Sequence, residues 1–272
     1  MHARRIDFLG CPIDCYTHKE LLSRIKTDID ERSTRSLIHF VNANKVAQAH
    51  EDPGMREILW RGDYVLADGQ PLLPMARLLG MRIPERIDGI GLMQKLLSLA
   101  NDHGYRIYLL GAKQEVLESC VRVITRHYPN LVVAGYRNGY FKPTDIPDMI
   151  ADINEARPDI LFIGIGTPIK ERLADEYRDR INATIVQGVG GSFDVIAGLV
   201  KRAPVWVQRL CLEWLYRVLQ EPRRMFWRYA KTNAQCGYLY LNVLVRSAFG
   251  KRPPARTSSP RNKQIAFASE KV

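Results

Sequence analysis

No stretch of this chain approaches the ~20 consecutive apolar residues that cross a bilayer, so no transmembrane helix is expected. The apolar run CGYLYLNVLV, Cys236 to Val245, is too short to span. The opening MHARRIDFLGCPIDCYTHKE has basic residues but no sustained apolar core, so no secretory signal is expected. Five cysteines (Cys11, Cys15, Cys120, Cys211 and Cys236) form no paired CxxC, and their odd number argues against a disulfide framework. Cys11 and Cys15 lack a nearby histidine pair, and none of the six histidines has a partner at ligand spacing, which argues against a zinc site. Thiols without a framework fit a reducing cytoplasm. No internal repeat or low-complexity run precedes residue 250. Glycine-rich turns occur, but none is a full dinucleotide fingerprint with an acid ~20 residues downstream in a first βαβ unit.

Net charge is also missing from most of the chain. The formal charge is +11, yet the segment from Lys201 onward holds 15 Lys and Arg against 3 acids. The first 200 residues are therefore close to neutral. So one-sided a tail suits a polyanion: an anionic membrane, a nucleic acid or a phosphate-bearing ligand.

What is present is an alternation. The apolar runs SLIHFVNAN, DYVLADG, RIYLLGAK, LVVAGY, DILFIGIGT and ATIVQGVGG recur along the body, after a first candidate strand IDFLG. Helical patterns separate most of them, among them THKELLSRIKTDIDE, which opens on a Thr17–Glu20 capping box. Continuous apolar strands between helices predict an α/β, Rossmann-like fold, a mainly parallel sheet covered on both faces. With 46% hydrophobic residues, a sizeable core is available. The expected organisation is an α/β catalytic domain over 1–200, a basic amphipathic helical appendage over 201–248 and a disordered tail over 249–272.

Nearly every predicted strand ends in a polar residue or a glycine. In a parallel sheet these positions share one edge, where ligands bind. Asp68, in YVLADGQP, is placed to take a proton from a substrate hydroxyl, with partial burial raising its pKa; it suits a turn or a helix cap equally. Asn42 and Asn44 stand two apart and can hold sugar hydroxyls or a uracil edge, or Asn44 caps a helix starting at Lys45. Gly111, Gly166, Gly190 and Gly191 belong to three glycine turns that let backbone N–H groups approach an anion. Arg86 is a diphosphate or carboxylate partner, or a surface arginine. The pair Asp28 and Asp30 mimics a divalent-cation motif but ends an amphipathic helix, so a solvated face is expected and no metal.

The tail segment LEWLYRVLQEPRRMFWRYAKTNAQ mixes arginines with Trp214, Tyr216, Phe226, Trp227 and Tyr229. A helix over WVQRLCLEWLYRVL should break at Pro222, where a second can begin. Arg224 and Arg228 then share a face. Such a segment lies on an anionic bilayer, aromatics at the headgroups and arginines at the phosphates, or packs as an ordinary terminal helix. Its exposed apolar surface also suits a homo-oligomer.

The motifs VNANKV, VLADGQP, PERIDGIGLM, YLLGAK, GYRNGYF, PDILFIGIGTPIKE, GVGGSFDVIAGLVKRAP and LEWLYRVLQEPRR occur in this order. Over roughly residues 5–235 the chain resembles a bacterial glycosyltransferase family. That family includes the teichoic-acid N-acetylmannosaminyltransferase, the enterobacterial common antigen N-acetylmannosaminuronosyltransferase and the xanthan-type enzyme that builds lipid-linked cellobiose. The resemblance implies an inverting, metal-independent and cofactor-free transfer of a hexosyl group from a UDP-sugar to a sugar on a polyprenyl diphosphate. It implies a peripheral place on the cytoplasmic face of the inner membrane, in exopolysaccharide or cell-envelope synthesis. It makes Asp68 the general base, sets Asn42 and Asn44 near the donor sugar and Arg86 in the site, and gives Arg217 and Arg224 to the diphosphate. Three positions depart from the common pattern. Asn42 stands where many members have threonine, and Lys170 where many have glutamine. Trp227 takes the place of an appendage arginine, with Arg228 beside it. Two other readings remain at this stage: a nucleotide-dependent Rossmann oxidoreductase, from the glycine turns, and a nucleic-acid-binding protein, from the basic tail.

Overall fold

The computed structural model describes residues 4–32, 35–204, 206–207, 212–220 and 222–248. A six-stranded sheet runs through it, built from β3 (Ser36–Val41), β4 (Tyr64–Ala67), β5 (Arg106–Gly111), β6 (Val132–Arg137), β7 (Ile160–Gly164) and β8 (Ile185–Gly188). Its spatial order is β4-β3-β8-β7-β5-β6 and every pairing is parallel, as the continuous apolar runs require. The first candidate strand is not part of it. β1 (Arg5–Phe8) and β2 (Cys11–Asp14) make a separate antiparallel hairpin, closed by Leu9 and Gly10, both at positive φ. Positive φ at both central positions is the turn geometry that matches strand twist.

Helices cover both faces. On one lie α1 (His18–Glu31), α5 (Gly89–His103), α6 (Gln114–His127) and the short α9 (Ser192–Ile196), which bury Leu21, Leu96, Leu117 and Phe193 against Ile38, Leu109 and Phe162. On the other face, α7 (Ile146–Glu155) and α8 (Ile169–Glu176) pack on Leu110, Leu161 and Val186. Beside them α2 (Ala43–Glu51), α3 (Pro53–Arg61), α4 (Leu72–Leu78) and the hairpin cover Val41, Val65 and Ala67. The capping box forms as expected at Thr17 and Glu20. The carboxylate pair at the end of α1 departs from expectation. Asp30 is exposed, but Asp28 is buried, accepting from Tyr64 Oη and Ser36 Oγ with Arg24 3.2 Å away. A buried charge persists only when so paired.

The appendage contains α10 (Glu213–Gln220) and α11 (Pro222–Ala248), with Pro222 at the head of the second helix. The second half of α11 lies on α2 and the hairpin: Cys236 is buried there and Leu239, Tyr240 and Val243 pack beside it. The basic tail is thus partly a packed helix. The stretch 249–272, expected to be disordered, lies outside the described residues.

Candidate functional site

The helix after β3 goes to one face of the sheet and the helix after β8 goes to the other. The carboxyl ends of these neighbouring strands therefore part, and a crevice opens where the winding direction switches, the usual ligand position in such sheets. Asn42, Asn44, Asp68, Lys170 and Gly190 all line this cleft, with His39, Lys45, Thr167 and Glu171. Five of the expected site residues are brought together. Gly111, Gly166 and Gly191 stand at the same sheet edge but outside the cleft. Gly111 has its own reason to be glycine: its φ is 130° and a Cβ there would fall 2.6 Å from the Gly164 carbonyl oxygen.

One wall carries an acid. Asp68 follows β4 directly, its N–H bonded to the Val41 carbonyl at 2.9 Å. Asn42 Nδ2 donates to its carboxylate at 3.4 Å. Asn42, not Asn44, is the N-cap of α2, accepting from the Lys45 N–H at 3.0 Å; the helix starts earlier than the sequence suggested. Arg86 is no free surface arginine. It donates through Nε to the Asp68 carbonyl, lies 3.8 Å from Asp68 Oδ1 and pairs with Glu213 of α10 at 3.0 Å. Burial pushes the Asp68 carboxyl up, against the pull of Arg86 and with the repulsion of Asp88 and Glu213, to about 6. The carboxyl is therefore a usable base at neutral pH.

The same cleft also carries cations. Glu171 Oε1 accepts from both Lys45 and Lys170, each at 2.6 Å, and from Thr167 Oγ1 at 3.1 Å. Two ammoniums against one carboxylate leave this buried cluster with an excess positive charge. Burial lowers Lys45 to about 8; the two lysines outweigh burial at Glu171 and hold it at about 2. Neither Lys45 nor Glu171 was singled out from sequence, although Glu171 shares the buried face of α8 with Ala174, a position that usually takes an apolar residue. Glu171→Gln should lower stability at pH 7 by about 3 kcal/mol, because it leaves two ammoniums without their counter-charge. The wild-type contribution, present above the ordinary carboxylate range of about 4, should fade as pH falls from there toward 2. Urea titrations of both proteins at pH 7 and pH 3 measure this; a pH-independent difference would refute it.

Arg217, Arg224 and Arg228 stand on α10 and α11, but their side chains lie outside the described residues. Among the described residues no three His, Cys, Asp or Glu side chains are grouped to hold a metal ion. No described helix is long and apolar enough to cross a membrane.

The model of the glycosyl transferase WecG/TagA/CpsF family matches residues 6–250. This chain belongs to that family. A relative from Bacillus subtilis (strain 168), an N-acetylglucosaminyldiphosphoundecaprenol N-acetyl-beta-D-mannosaminyltransferase, is 37% identical over 70% of this chain and 73% of its own length. A relative of the same description from Staphylococcus aureus (strain MW2) is 32% identical over 81% of this chain and 87% of its own length. The chain is thus a hexosyltransferase rather than an oxidoreductase.

Proposed function

We propose that this WecG/TagA/CpsF glycosyltransferase moves a hexosyl group from a UDP-sugar to a saccharide on a polyprenyl diphosphate, inverting the anomeric carbon without a metal. The acceptor class comes from the relatives, whose names specify a lipid-linked diphosphate sugar. Those names also specify a β-linked product, which inversion of an α-linked UDP-sugar would give. The observation that carries the mechanism is the Asp68 carboxylate, lodged in the switch-point cleft that Lys45 and Lys170 also line.

Asp68 takes the proton of the acceptor hydroxyl. That oxygen attacks the anomeric carbon on the face opposite the diphosphate; the bond to UDP breaks and its electrons leave with the diphosphate. Asn42 and Asn44 hold the sugar, and Asn42 also steadies the base. The excess charge of the Lys45–Lys170–Glu171 cluster, the amides of the turn at Gly190 and the appendage arginines meet the developing negative charge. The appendage holds the body against the anionic cytoplasmic surface of the inner membrane, where the acceptor diffuses. The functional division is 1–200 for chemistry and 201–248 for membrane and acceptor.

The test is incubation of membranes bearing defined lipid-linked acceptors with a panel of UDP-hexoses, with and without EDTA. Transfer of one hexose, insensitive to EDTA and inverted by NMR of the product, is expected. Transfer abolished by EDTA, or with retained configuration, would overturn the mechanism.

A further inference from the structure

Two cross-links of opposite polarity tie the appendage to the loop beside Asp68. Arg202 reaches Asp88 at 2.6 Å, while Glu213 reaches Arg86 at 3.0 Å. Asp88 also caps α5, accepting from the Gly91 N–H at 3.1 Å. The second link has a geometry the first lacks. A single atom, Arg86 Nη2, faces both the Glu213 carboxylate at 3.0 Å and the Asp68 carboxylate at 3.8 Å. Arg86 Nε is already held by the Asp68 carbonyl, so its guanidinium fork is fixed in place and has two acids to choose between. Glu213 has the closer contact.

We infer that Glu213 of the appendage is a positioning residue: it holds Arg86 off the Asp68 carboxylate and so keeps the base free for the acceptor. The inference rests on the reading of Asp68 as the base and adds a residue to that site. Removing the Glu213 carboxylate leaves Arg86 one acid to pair with. A bidentate Arg86–Asp68 pair would stabilise the carboxylate, weaken it as a base and turn it from the cleft. Loss of the Glu213 charge acts in the same direction, since Glu213 now repels the ionised Asp68. The other charged groups around Asp68 stay in place: Asp88 on the same loop, and Lys45, Lys170 and Glu171 in the same cleft. The appendage thereby couples its own docking to the strength of the catalytic base.

The experiment follows the Asp68 carboxyl carbon by NMR in full-length protein labelled at aspartate, assigned by its loss in Asp68→Asn. This readout needs no turnover. In the wild type the midpoint should lie near 6. In Glu213→Gln it should fall by about one pH unit, and Glu213→Asp should restore part of the difference. Where the wild type transfers hexose, the acid limb of its pH–rate profile should move with the midpoint. kcat should then fall about tenfold and donor KM change by less than about twofold. Arg202→Gln cuts the other cross-link and is the control for docking alone: it leaves Asp88 uncompensated, so the Asp68 midpoint should not fall. An Asp68 midpoint unmoved in Glu213→Gln, or lowered equally in Arg202→Gln, would overturn the inference and leave Asp68 as the base. A wild type inactive toward every UDP-hexose and lipid-linked acceptor would instead sink the functional reading, while the titration still decides the role of Glu213.

Discussion

Asp68→Asn should lower turnover by about 10³-fold, within the 10²–10⁴ usually attributable to a general base, while UDP binding stays within about twofold of the wild type. The two halves of this expectation come from different parts of the site. The amide keeps the shape of the side chain and can still meet Asn42, but it cannot accept the acceptor's proton. The cations proposed to meet the donor, Lys45 and Lys170, are paired with Glu171 and not with Asp68. Stability supplies a control with a definite sign. The Asp68 carboxyl is raised in the folded state to about 6, from the ordinary value near 4. For an acid so shifted, the folded state holds the proton more tightly than the unfolded chain. Its contribution is therefore fully present below pH ~4 and is lost as pH rises through 6. At pH 7.5 the ionised Asp68 works against folding, with Asp88 and Glu213 adding repulsion. Asp68→Asn should thus melt no lower than the wild type at that pH, while being nearly inactive. The wild-type kcat/KM should rise through pH 6 and level off as the base ionises. An Asp68→Asn variant with full activity would remove Asp68 from the mechanism; one that melts well below the wild type would assign it a structural role.

Much of this arrangement is legible in the sequence. Parallel strands covered by helices read as unbroken apolar runs, and all six strands lie in such runs, although the edge strand β6 is only partly buried. Strand ends that carry asparagine, aspartate and glycine mark the edge where a ligand sits, and five expected residues do meet in one cleft. Pro222 was a helix start because its ring forbids a helix interior. The unread parts share a cause: each depends on a partner far away in sequence. Lys45 and Glu171 are 126 positions apart, and each is tolerable in a buried position only because of the other. Asp28 looked solvated because the hydroxyls that accept its burial come from Ser36 and Tyr64, on two different strands. Glu213 meets Arg86 only after the appendage folds back, 127 positions on. Strand order was hidden for a related reason: alternation of elements is compatible with several windings, and the one adopted sets the position of the crevice. The hairpin was missed because CPID carries little strand pattern.

The exposed face of the appendage leads to the second large effect. Leu219, Phe226 and Trp227 are 74%, 52% and 75% exposed, in a segment whose other half is packed on the body. Phe226 and Trp227 touch edge to face, with centroids 5.5 Å apart, and form one aromatic surface. Apolar side chains so placed amid many arginines gain by entering a headgroup layer, roughly 1–2 kcal/mol each. Replacing all three with glutamate removes that gain and adds about 1 kcal/mol of repulsion per charge at an anionic surface. The sum, roughly 6–9 kcal/mol, exceeds the about 4 kcal/mol needed for a 10³-fold drop in partitioning, and incomplete burial reduces it toward that value. Flotation with vesicles rich in anionic lipid should show that drop. UDP binding and melting temperature should hold, because these side chains lie outside the buried core. Point changes are cleaner here than cutting the chain after Val200. Truncation would also strip Cys236, Leu239 and Val243 from the cluster that holds α2, and so disturb Asn42 and Asn44 from behind. If the triple variant floats as well as the wild type, the appendage is not the membrane anchor. If it loses a dimer in sedimentation while flotation persists, the aromatic face belongs to a second copy of the chain.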